Sequence, residues 1–561
     1  MAGNILTPSA IWNNFNISDT PVAKIQDSRK DGDVVIERVF IDGKQFEDGN
    51  VQIFGVLAKK RQEGVAPGIL LLQDFDFGVD ERLVKTLAKL GYTVLSIDLA
   101  GVKDGVELFT KYPKSISHAN YSAVKDMLYS VENDVTDTCW YEWACAAKYA
   151  LKYLQSLTNG KVGGFGLGEA ATVLWQLAGT NCGLNCAVFA LNAGWAGYRG
   201  IYKFGGMVEP QFSDNMYKFI AGIEPQAYAM HVGCPTLLLS ATNSNLYDCD
   251  RAYDTISRID AKVYSALHYS VGYRDRVSGE AFANAKLFFE EYLTDKKSHN
   301  LQSEVEISSE IVDGVVEFLV KPQDKKVESV YLYTAEETAE PAVRCWQRHS
   351  EAVQEKGVYK FSVQPYQQSG MITAFAQVKY KNGMVIGSNI VNKKFKKEQI
   401  KPSYKCNIIY SSRFVDGESV FEAENQVDEN PPSINVIDKN RVLVKKGPMG
   451  IEGVTCEWGL LTFKIGADKF KPSETAILLF DVYAKEATTV TVKLIADYSG
   501  EKTEYLLKAN LTGGNVWQNV KMELAKFKTA EGMALKSLNK IDALVFEVDC
   551  ANYLINNALW V

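Results

Sequence analysis

The chain has 561 residues, of which 46% are hydrophobic and 23% are charged, and its formal net charge is −7. This composition is typical of a globular protein with more than one core, and the mildly acidic balance argues against nucleic acid as a main partner. No apolar run approaches the roughly 20 residues of a membrane-spanning helix, so no membrane association is predicted. The first residues lack a basic segment followed by an apolar one, which predicts a cytoplasmic location.

Ten cysteines are scattered along the chain. They form no CxxC pair, and only Cys182 and Cys186, in NCGLNC, come close to one, without histidines at metal-ligand spacing nearby. We therefore predict reduced, mostly buried thiols, no metal site and no cofactor.

The first half of the chain predicts an α/β domain. Residues 1–60 contain two β-like runs, DVVIERVFIDGK and NVQIFGVLAKK, separated by the turn sequence EDGN. From residue 65 onwards, apolar runs of strand length alternate with amphipathic segments of helix length. The predicted strands are 68–75, 92–100, 186–192, 235–241 and 262–267, and the main predicted helices are 80–91, 141–157 and 279–293. This alternation predicts a mostly parallel sheet with helices on both faces, over residues 1–296, with an N-terminal β extension.

Two all-β domains are predicted after it. Residues 304–395 contain short alternating runs between turn signals, which is typical of an immunoglobulin-like or fibronectin-like sandwich. Residues 404–561 hold enough further strands for a two-sheet jelly roll. The polar stretch 294–304 and the lysine-rich stretch 392–403 are interpreted as exposed linkers, where limited proteolysis would cut first.

The stretch GKVGGFGLGEAATVLWQLAG, residues 160–179, indicates a strand, a glycine-rich turn and a helix. A nucleophile elbow has the pattern G-x-S-x-G, with a serine on a strained turn between strand and helix. Here the pattern is Gly164-Phe165-Gly166-Leu167-Gly168, so its central position, Gly166, has no side chain that can attack a substrate. A nucleotide-binding turn is the alternative, but that fingerprint belongs at the first strand of its unit and needs an acidic residue about 20 positions later. At least two predicted strands precede this turn, and the segment NCAVFA stands where the acid would be.

Several segments, in their order along the chain, resemble the dienelactone hydrolase and acetyl xylan esterase branch of the α/β-hydrolases. They are GVLAKKRQEGVAPGILLLQDF, GGFGLGEAATVLWQLAG, CPTLLLSATNSNLYDCDRAYDTI, and KVYSALHYSVGY followed by AFANAKLFFEEYL. The resemblance covers residues 40–296 and implies the α/β-hydrolase fold. EPAVRCWQRHS and GMITAFAQVKYKNGMVIGSNIV resemble the β-sandwich that follows such domains in some relatives, and residues 404–561 resemble jelly-roll, carbohydrate-binding-like modules.

The resemblance also implies where a catalytic triad would stand. Gly166 occupies the nucleophile position, Ser244 stands at the acid position within Asn243-Ser244-Asn245, and His268 matches the histidine. The next carboxylates after the acid position are Asp248 and Asp250. One triad member of three therefore remains, and a single histidine near the end of a β-run is more often a hydrogen-bonded structural residue than a catalyst.

The oxyanion hole of such a site would involve Leu167 and Gln73. Gln73 is followed by Asp74 and Asp76, whose negative charges would oppose an oxyanion. We interpret these two carboxylates as a solvated loop end, with a cation or a sugar hydroxyl as the alternative ligand.

These observations predict a catalytically degenerate α/β-hydrolase-like protein that serves as a scaffold, an assembly protein or a ligand-recognition protein. Self-assembly, a protein partner or a carbohydrate are the partners considered. One alternative is an active carboxylic-ester hydrolase that acts on a small ester or an acetylated glycan, and the residue types that could replace the nucleophile are Cys139, Cys145 and Cys182. A second alternative is a carbohydrate-binding protein, with Trp458 and Trp517 as stacking residues, although the alternating sequence around Trp517 also suits core packing.

Overall fold

A computed structural model describes residues 4–61, 64–75, 78–206, 210–294, 301, 304–323, 326–415, 417–424, 442–457 and 459–561. Over these ranges, the strands form one large mixed sheet followed by four smaller antiparallel sheets. None of the helices in the same ranges has both the length and the apolar character that crossing a membrane requires.

The large sheet contains nine strands within the described part of the chain. They are β1 (Ala23–Asp31), β2 (Val34–Phe46), β3 (Gly49–Lys60), β4 (Gly68–Leu72), β5 (Thr93–Ile97), β6 (Val162–Leu167), β7 (Cys186–Ala190), β8 (Thr236–Ala241) and β9 (Ser265–Ser270). Their order is β1-β2-β3-β5-β4-β6-β7-β8-β9. The pairs from β1 to β5 are antiparallel, and the pairs from β5 to β9 are parallel. This is the strand order of the α/β-hydrolase fold, so the predicted fold class is confirmed.

The parallel strands are apolar along their whole length because helices cover both faces of the sheet. In β4, Ile69 and Leu71 belong to one buried core, while Leu70 and Leu72 belong to the core on the opposite face. The helices are α1 (Pro8–Trp12), α2 (Glu81–Lys89), α3 (Tyr121–Val124), α4 (Cys139–Leu157), α5 (Ala170–Ala178), α6 (Asp214–Gly222), α7 (Pro225–Tyr228), α8 (Cys249–Ile256) and α9 (Gly279–Leu293). Helices α2 and α9 cover one face, and α4 and α5 cover the other.

The last strand of the sheet differs from its prediction in a way that matters for the site. The apolar pattern predicts a strand at 262–267, but β9 spans Ser265–Ser270. The preceding residues form a turn instead, because the N–H groups of Lys262 and Val263 donate to Asp260. His268 therefore lies inside β9 and not beyond its end.

The second region is a β-sandwich. One sheet has the order β10-β11-β15-β14, and the other has the order β13-β12-β16-β17 with β18 also paired to β16. The strands are β10 (Val305–Val312), β11 (Val315–Pro322), β12 (Val327–Glu336), β13 (Gln347–His349), β14 (Val353–Glu355), β15 (Val358–Val363), β16 (Met371–Tyr380), β17 (Val385–Gly387) and β18 (Val391–Lys394). Strand β18 takes up the start of the lysine-rich stretch 392–403, and Phe395 and Ile400 in the rest of that stretch are buried. In the other predicted linker, residues 295–300 and 302–303 lie outside the described residues.

The third region consists of two further antiparallel sheets. Their orders are β21-β22-β29-β24-β27, with β19 paired to β29, and β20-β23-β28-β25-β26. The strands are β19 (Ile408–Tyr410), β20 (Glu422–Ala423), β21 (Leu443–Lys446), β22 (Glu452–Thr455), β23 (Leu460–Thr462), β24 (Ile477–Ala484), β25 (Thr488–Ala496), β26 (Thr503–Leu511), β27 (Gln518–Glu523), β28 (Ile541–Val548) and β29 (Tyr553–Trp560), and one helical turn, α10 (Gly417–Val420), precedes β20. The two sheets enclose one apolar core, as in a jelly roll.

The β-sandwich covers the free edge of the large sheet at β9. The N–H of Tyr269 donates to Oε1 of Gln377 at 2.9 Å, so a backbone group that an edge strand would expose has a partner. On α9, Asn284 donates to the carbonyl of Val385 at 2.7 Å and accepts from the N–H of Val385 at 3.0 Å. The loops that follow the parallel strands are thereby brought close to the β-domains.

Candidate functional site

The strand–turn–helix at the end of β6 has its sharp turn at Gly168. Strand β6 ends at Leu167, Gly168 has a φ of +56°, and α5 begins at Ala170. A positive φ on one residue between strand and helix is the strained conformation of a nucleophile elbow. The sequence pattern predicts this position at Gly166, and the structure has it two residues later.

Gly166 is small for a different reason. It lies inside β6, between Leu72 of β4 and Phe189 of β7. A Cβ atom on Gly166 would lie 2.8 Å from Cα of Ala171 and 3.0 Å from Cβ of Leu174, both on α5. The absence of a side chain at Gly166 thus lets the helix pack closely on the strand. Neither this glycine nor the one at the turn offers a nucleophile.

The N–H group that follows the turn, which binds the oxyanion in hydrolases of this fold, is already engaged. It belongs to Glu169 and donates to Oδ2 of Asp74 at 3.2 Å. Asp74 follows β4, and its Oδ1 accepts from the N–H of Phe75 at 2.7 Å. A carboxylate in this place repels a developing negative charge, so the arrangement opposes oxyanion binding.

The two residues predicted for the oxyanion hole support the fold instead. Leu167 is paired with Ala190 in the sheet. The side chain of Gln73 donates to Oγ of Ser96 at 2.9 Å and accepts from the N–H of Asp80 at 3.2 Å, which links the end of β4 to β5 and to the start of α2. Asp76, the second carboxylate predicted there, lies outside the described residues.

A buried polar cluster surrounds the side chain of Glu169. Its carboxylate accepts hydrogen bonds from the hydroxyl of Tyr129, from Nη2 of Arg199 at 3.1 Å and from Nδ2 of Asn192 at 3.3 Å. The guanidinium of Arg199 lies 4.3 Å from the ring centroid of Tyr129. Burial raises the pKa of Glu169, and the charge of Arg199 and the hydrogen bond from Tyr129 work against that rise. The group next to the turn is therefore an ion pair with its hydrogen bonds satisfied and not a nucleophile with its base.

The loop after β8, where the acid is predicted, contains no free carboxylate at the predicted position. Oγ of Ser244 donates to Oδ1 of Asp275 at 3.2 Å and accepts from the N–H groups of Leu246 and Tyr247 at 3.0 and 3.1 Å. Burial raises the pKa of Asp275. A carboxylate does stand beside the acid position, but it comes from the loop after β9, which the sequence pattern did not indicate.

The rest of the loop after β8 holds the β-sandwich in place. Nδ2 of Asn243 donates to the carbonyl of Arg344 at 2.8 Å. The guanidinium of Arg344 forms two hydrogen bonds with the carboxylate of Asp250, at 2.5 and 2.7 Å, and both side chains are fully buried. Such a bidentate ion pair fixes orientation as well as distance. Asp250, a candidate acid from the sequence, is thus committed to domain docking, while Asp248 is paired with Arg251.

His268 has a similar structural role. It is fully buried in β9, and Nδ1 lies 3.2 Å from the carbonyl oxygen of Val385 in the β-sandwich. Burial lowers its pKa, so the ring is neutral at pH 7. Strands β7 and β8 separate β9 from the turn, a distance of about 14 Å at the usual strand spacing. Since catalytic groups of an open α/β sheet stand beyond the carboxyl ends of its strands, His268 is remote from the site that the sequence predicts.

The loop after β9 contacts the third region. Nη1 and Nη2 of Arg274 donate to the carbonyls of Glu424 and Ala423 at 3.1 and 3.3 Å, and Nε lies 3.9 Å from the carboxylate of Glu422. The guanidinium also lies 5.1 Å from the ring centroid of Tyr498. Two loops at the carboxyl edge of the sheet therefore each dock one β-domain.

A cleft of about 360 Å³ lies where the three regions meet. Its walls are formed by the segment from Trp195 to Tyr202, by the loop after β8, by Glu340–Ala342 of the β-sandwich and by Asp497–Gly500 of the third region. Buried Glu224 accepts from the N–H of Gly197 at 3.1 Å and so orders the first of these walls. The volume is in the range of small-molecule sites. No sequence signal indicated this cleft, because its walls are far apart along the chain.

None of the remaining predicted residues that the structure describes lines the cleft. Trp458 lies outside the described residues. Trp517 is half-buried, and its Nε1 donates to the carbonyl of Pro448 at 3.2 Å. The thiols named as replacement nucleophiles, in Cys139, Cys145 and Cys182, have pKa values raised by burial.

No protein-family model matches the chain, and no curated protein matches it. Among solved structures, the chain is similar to an acetyl xylan esterase from Paenibacillus sp. R4, at 13% identity and a TM-score of 0.38, over 51% of this chain and 92% of that chain. It is also similar to an acetyl xylan esterase from a Thermoanaerobacterium species, at 12% identity and a TM-score of 0.35, over 49% and 90%. A putative dienelactone hydrolase from Klebsiella pneumoniae matches at 14% identity and a TM-score of 0.29, over 47% and 93%. The fold assignment itself depends on the order and direction of the nine described strands.

Proposed function

We propose that this protein is a non-hydrolytic recognition protein built on an α/β-hydrolase fold. The observation that carries the proposal is the use of the carboxyl edge of the sheet. The loops that would hold the acid and the histidine dock the two β-domains through Asp250 and Arg274, and Asp74 engages the N–H that would bind an oxyanion. In this proposal, ligand recognition takes place in the cleft between the three regions.

Burial of the ion pair Asp250–Arg344 supports a fixed arrangement of the first two regions. Removing one member of a fully buried pair leaves an uncompensated charge, which is strongly destabilising. The loop after β8 therefore cannot move freely to complete a catalytic site.

The test is ester turnover by the full chain, measured with p-nitrophenyl acetate. We expect the wild type and Glu169→Gln to hydrolyse the ester no faster than buffer alone. The matched control is the surface variant Glu306→Gln, whose side chain is 61% exposed on β10, and it should behave in the same way. A turnover of about 1 s⁻¹, near the low end of ordinary enzymes, that Glu169→Gln abolishes and Glu306→Gln does not, would overturn the proposal.

Ester hydrolysis is the second candidate, and one observation favours it. The strand–turn–helix with a positive φ at Gly168 is the backbone shape that esterases of this fold use. An esterase would need a nucleophile that neither Gly166 nor Gly168 supplies, and the buried carboxylate of Glu169 is the nearest charged group along the chain. Turnover by the wild type above that of buffer alone therefore decides between the two candidates, and Glu169→Gln tests whether this carboxylate is the nucleophile.

A further inference from the structure

The cleft between the three regions has an uneven distribution of charge. Among the described residues, four charged side chains line it: Arg199, Asp248, Glu340 and Asp497. Arg199 is neutralised by Glu169, at 3.1 Å. Asp248 is neutralised by Arg251. Two carboxylates, from two different domains, are left.

These two carboxylates have no cationic partner among the residues that the structure describes. Glu340 lies beside the hydroxyl of Tyr202, and Oδ2 of Asp497 accepts from the N–H of Glu501 at 3.2 Å. Neither contact brings a positive charge to these carboxylates. Burial, with the charges of Glu340 and then Asp497 adding to it, raises the pKa of Tyr202 to about 12, which indicates that both carboxylates act on this ring.

Three aromatic residues belong to one wall of the cleft, the segment from Trp195 to Tyr202. Trp195, Tyr198 and Tyr202 all line it, and Tyr202 is 38% exposed. The positions of the first two are fixed: Nε1 of Trp195 donates to Oγ1 of Thr255 at 2.8 Å, and the ring of Tyr198 has the guanidinium of Arg251 at 4.8 Å from its centroid. No cation lies against the ring of Tyr202 in the described ranges, and the residue is 38% exposed.

From this arrangement we infer that the cleft binds a small organic cation, a molecule with an ammonium group that lies against Tyr202 between Glu340 and Asp497. The inference rests on the proposed function, in which the cleft is a recognition site. An aromatic face and two carboxylates are together the groups that stabilise an ammonium ion with part of its water removed. An anionic ligand would meet two uncompensated negative charges, while Arg199 is already paired with Glu169. A neutral sugar would gain stacking and hydrogen bonds but would leave both charges uncompensated.

The experiment compares ligands of equal shape and different charge on the full chain. Choline and its uncharged carbon isostere, dimethylbutanol, form one pair, and glucosamine and glucose form the other. Isothermal titration calorimetry, followed at two ionic strengths, should show binding of choline and glucosamine and at least several-fold weaker binding of the neutral members. Higher salt should weaken only the charged members, because the carboxylates are partly exposed.

Variants locate the site. The double variant Glu340→Gln with Asp497→Asn keeps the size and hydrogen bonding of both side chains and should weaken binding of the cations by roughly tenfold. Tyr202→Leu should weaken it several-fold, whereas the surface control Glu306→Gln should leave it unchanged. Circular dichroism and thermal unfolding verify that each variant is folded.

Equal affinity for charged and neutral members of both pairs would overturn the inference, as would cation binding that the double variant leaves intact. So would the absence of binding by every cation at millimolar concentration. None of these results would touch the proposed lack of ester hydrolysis, which is measured separately by turnover and by Glu169→Gln.

Discussion

The turn at the end of β6 and the loops after β8 and β9 differ from the predicted catalytic arrangement in opposite ways. The turn retains its backbone shape, with a positive φ at Gly168, but carries no reactive side chain. The two loops retain charged side chains, Asp250 and Arg274, but these contact other domains. The comparison teaches that the shape of an elbow is maintained by strand–helix packing, whereas the catalytic use of a loop depends on which partner its side chains face.

The difference has a physical basis. A turn between a buried strand and a buried helix is determined by close packing, as at Gly166, where a Cβ would lie 2.8 Å from Cα of Ala171. A loop at the sheet edge has no such constraint, so its polar groups are available to bind whatever covers the edge. Four predictions test this contrast.

The largest effect is expected from Arg344→Ala. The variant leaves the carboxylate of Asp250 buried and unpaired, so the free energy of unfolding should fall by about 3–5 kcal/mol. The matched control is Lys321→Ala, because Lys321 pairs with Glu306 where both side chains are more than half exposed, and it should cost less than about 1 kcal/mol. Denaturant unfolding measures both. A loss of less than 1 kcal/mol in Arg344→Ala would show that the loop after β8 is not a docking element.

The second effect depends on pH and tests the loop after β9. Burial raises the pKa of Glu422 to about 8, and the charge of Arg274 opposes the rise. The folded state therefore holds this proton more tightly than the unfolded state, so the contribution is present at low pH and is lost as the pH rises towards 8. Between pH 6 and 8, stability of the wild type should fall relative to Glu422→Gln, by at most about 1.4 kcal/mol per pH unit.

This comparison uses unfolding curves of both proteins at several pH values. Other groups titrate in both proteins alike, so the difference between the two curves isolates Glu422. A difference that does not change between pH 6 and 8 would mean that the carboxyl group titrates in its ordinary range and that Arg274 compensates its burial fully.

Much of the fold could be predicted from the sequence. Strand β4 is an apolar run that is buried along its whole length, and helix α9 is a long segment with a buried face. Each pattern can be recognised within its own stretch of sequence. Strand β1 was missed because its sequence, AKIQDSRKD, is polar and exposed along nearly its whole length. Nothing in such a segment alternates, and only pairing with β2 makes it a strand.

The candidate site was less predictable. The elbow pattern can be placed in two registers, with either Gly166 or Gly168 at its centre. The signal for the second register was Ala170, a small residue that can stand in for the last glycine of the pattern. The docking roles of Asp250 and Arg274 depend on partners 94 and about 150 residues away, which no local pattern reveals. The sequence did not show that His268 lies inside β9, because the start of that strand was predicted three residues early.

A third, smaller effect concerns the packing of β6. Gly166→Ala should destabilise the protein by about 1–3 kcal/mol, because the new methyl group meets the backbone of α5 at Ala171, which cannot move without shifting the helix. Gly160→Ala is an instructive control: that glycine has a φ of +85° but open space around a Cβ, so only backbone strain of about 1–2 kcal/mol is expected. If Gly166→Ala were neutral in thermal unfolding, the turn would not be maintained by strand–helix packing.

The smallest effect is expected from Gly168→Ser, which puts a hydroxyl on the turn itself. Its φ of +56° is left-handed, so serine should cost about 1–2 kcal/mol of stability, and Gly168→Asn, a residue that tolerates this region, should cost less.

Ester turnover should not rise above background, for two reasons. The N–H of Glu169 is bound to Asp74, and His268 lies inside β9 with its Nδ1 near the carbonyl of Val385, so this histidine is not placed to take the proton of the hydroxyl. Adding Asp74→Asn removes the negative charge beside that N–H and should raise turnover only modestly, because the base is still missing. If Gly168→Ser alone were a fast esterase in the p-nitrophenyl acetate assay, a base would have to stand within hydrogen-bond reach of position 168. The turn would then have the surroundings of a catalytic site as well as its backbone shape.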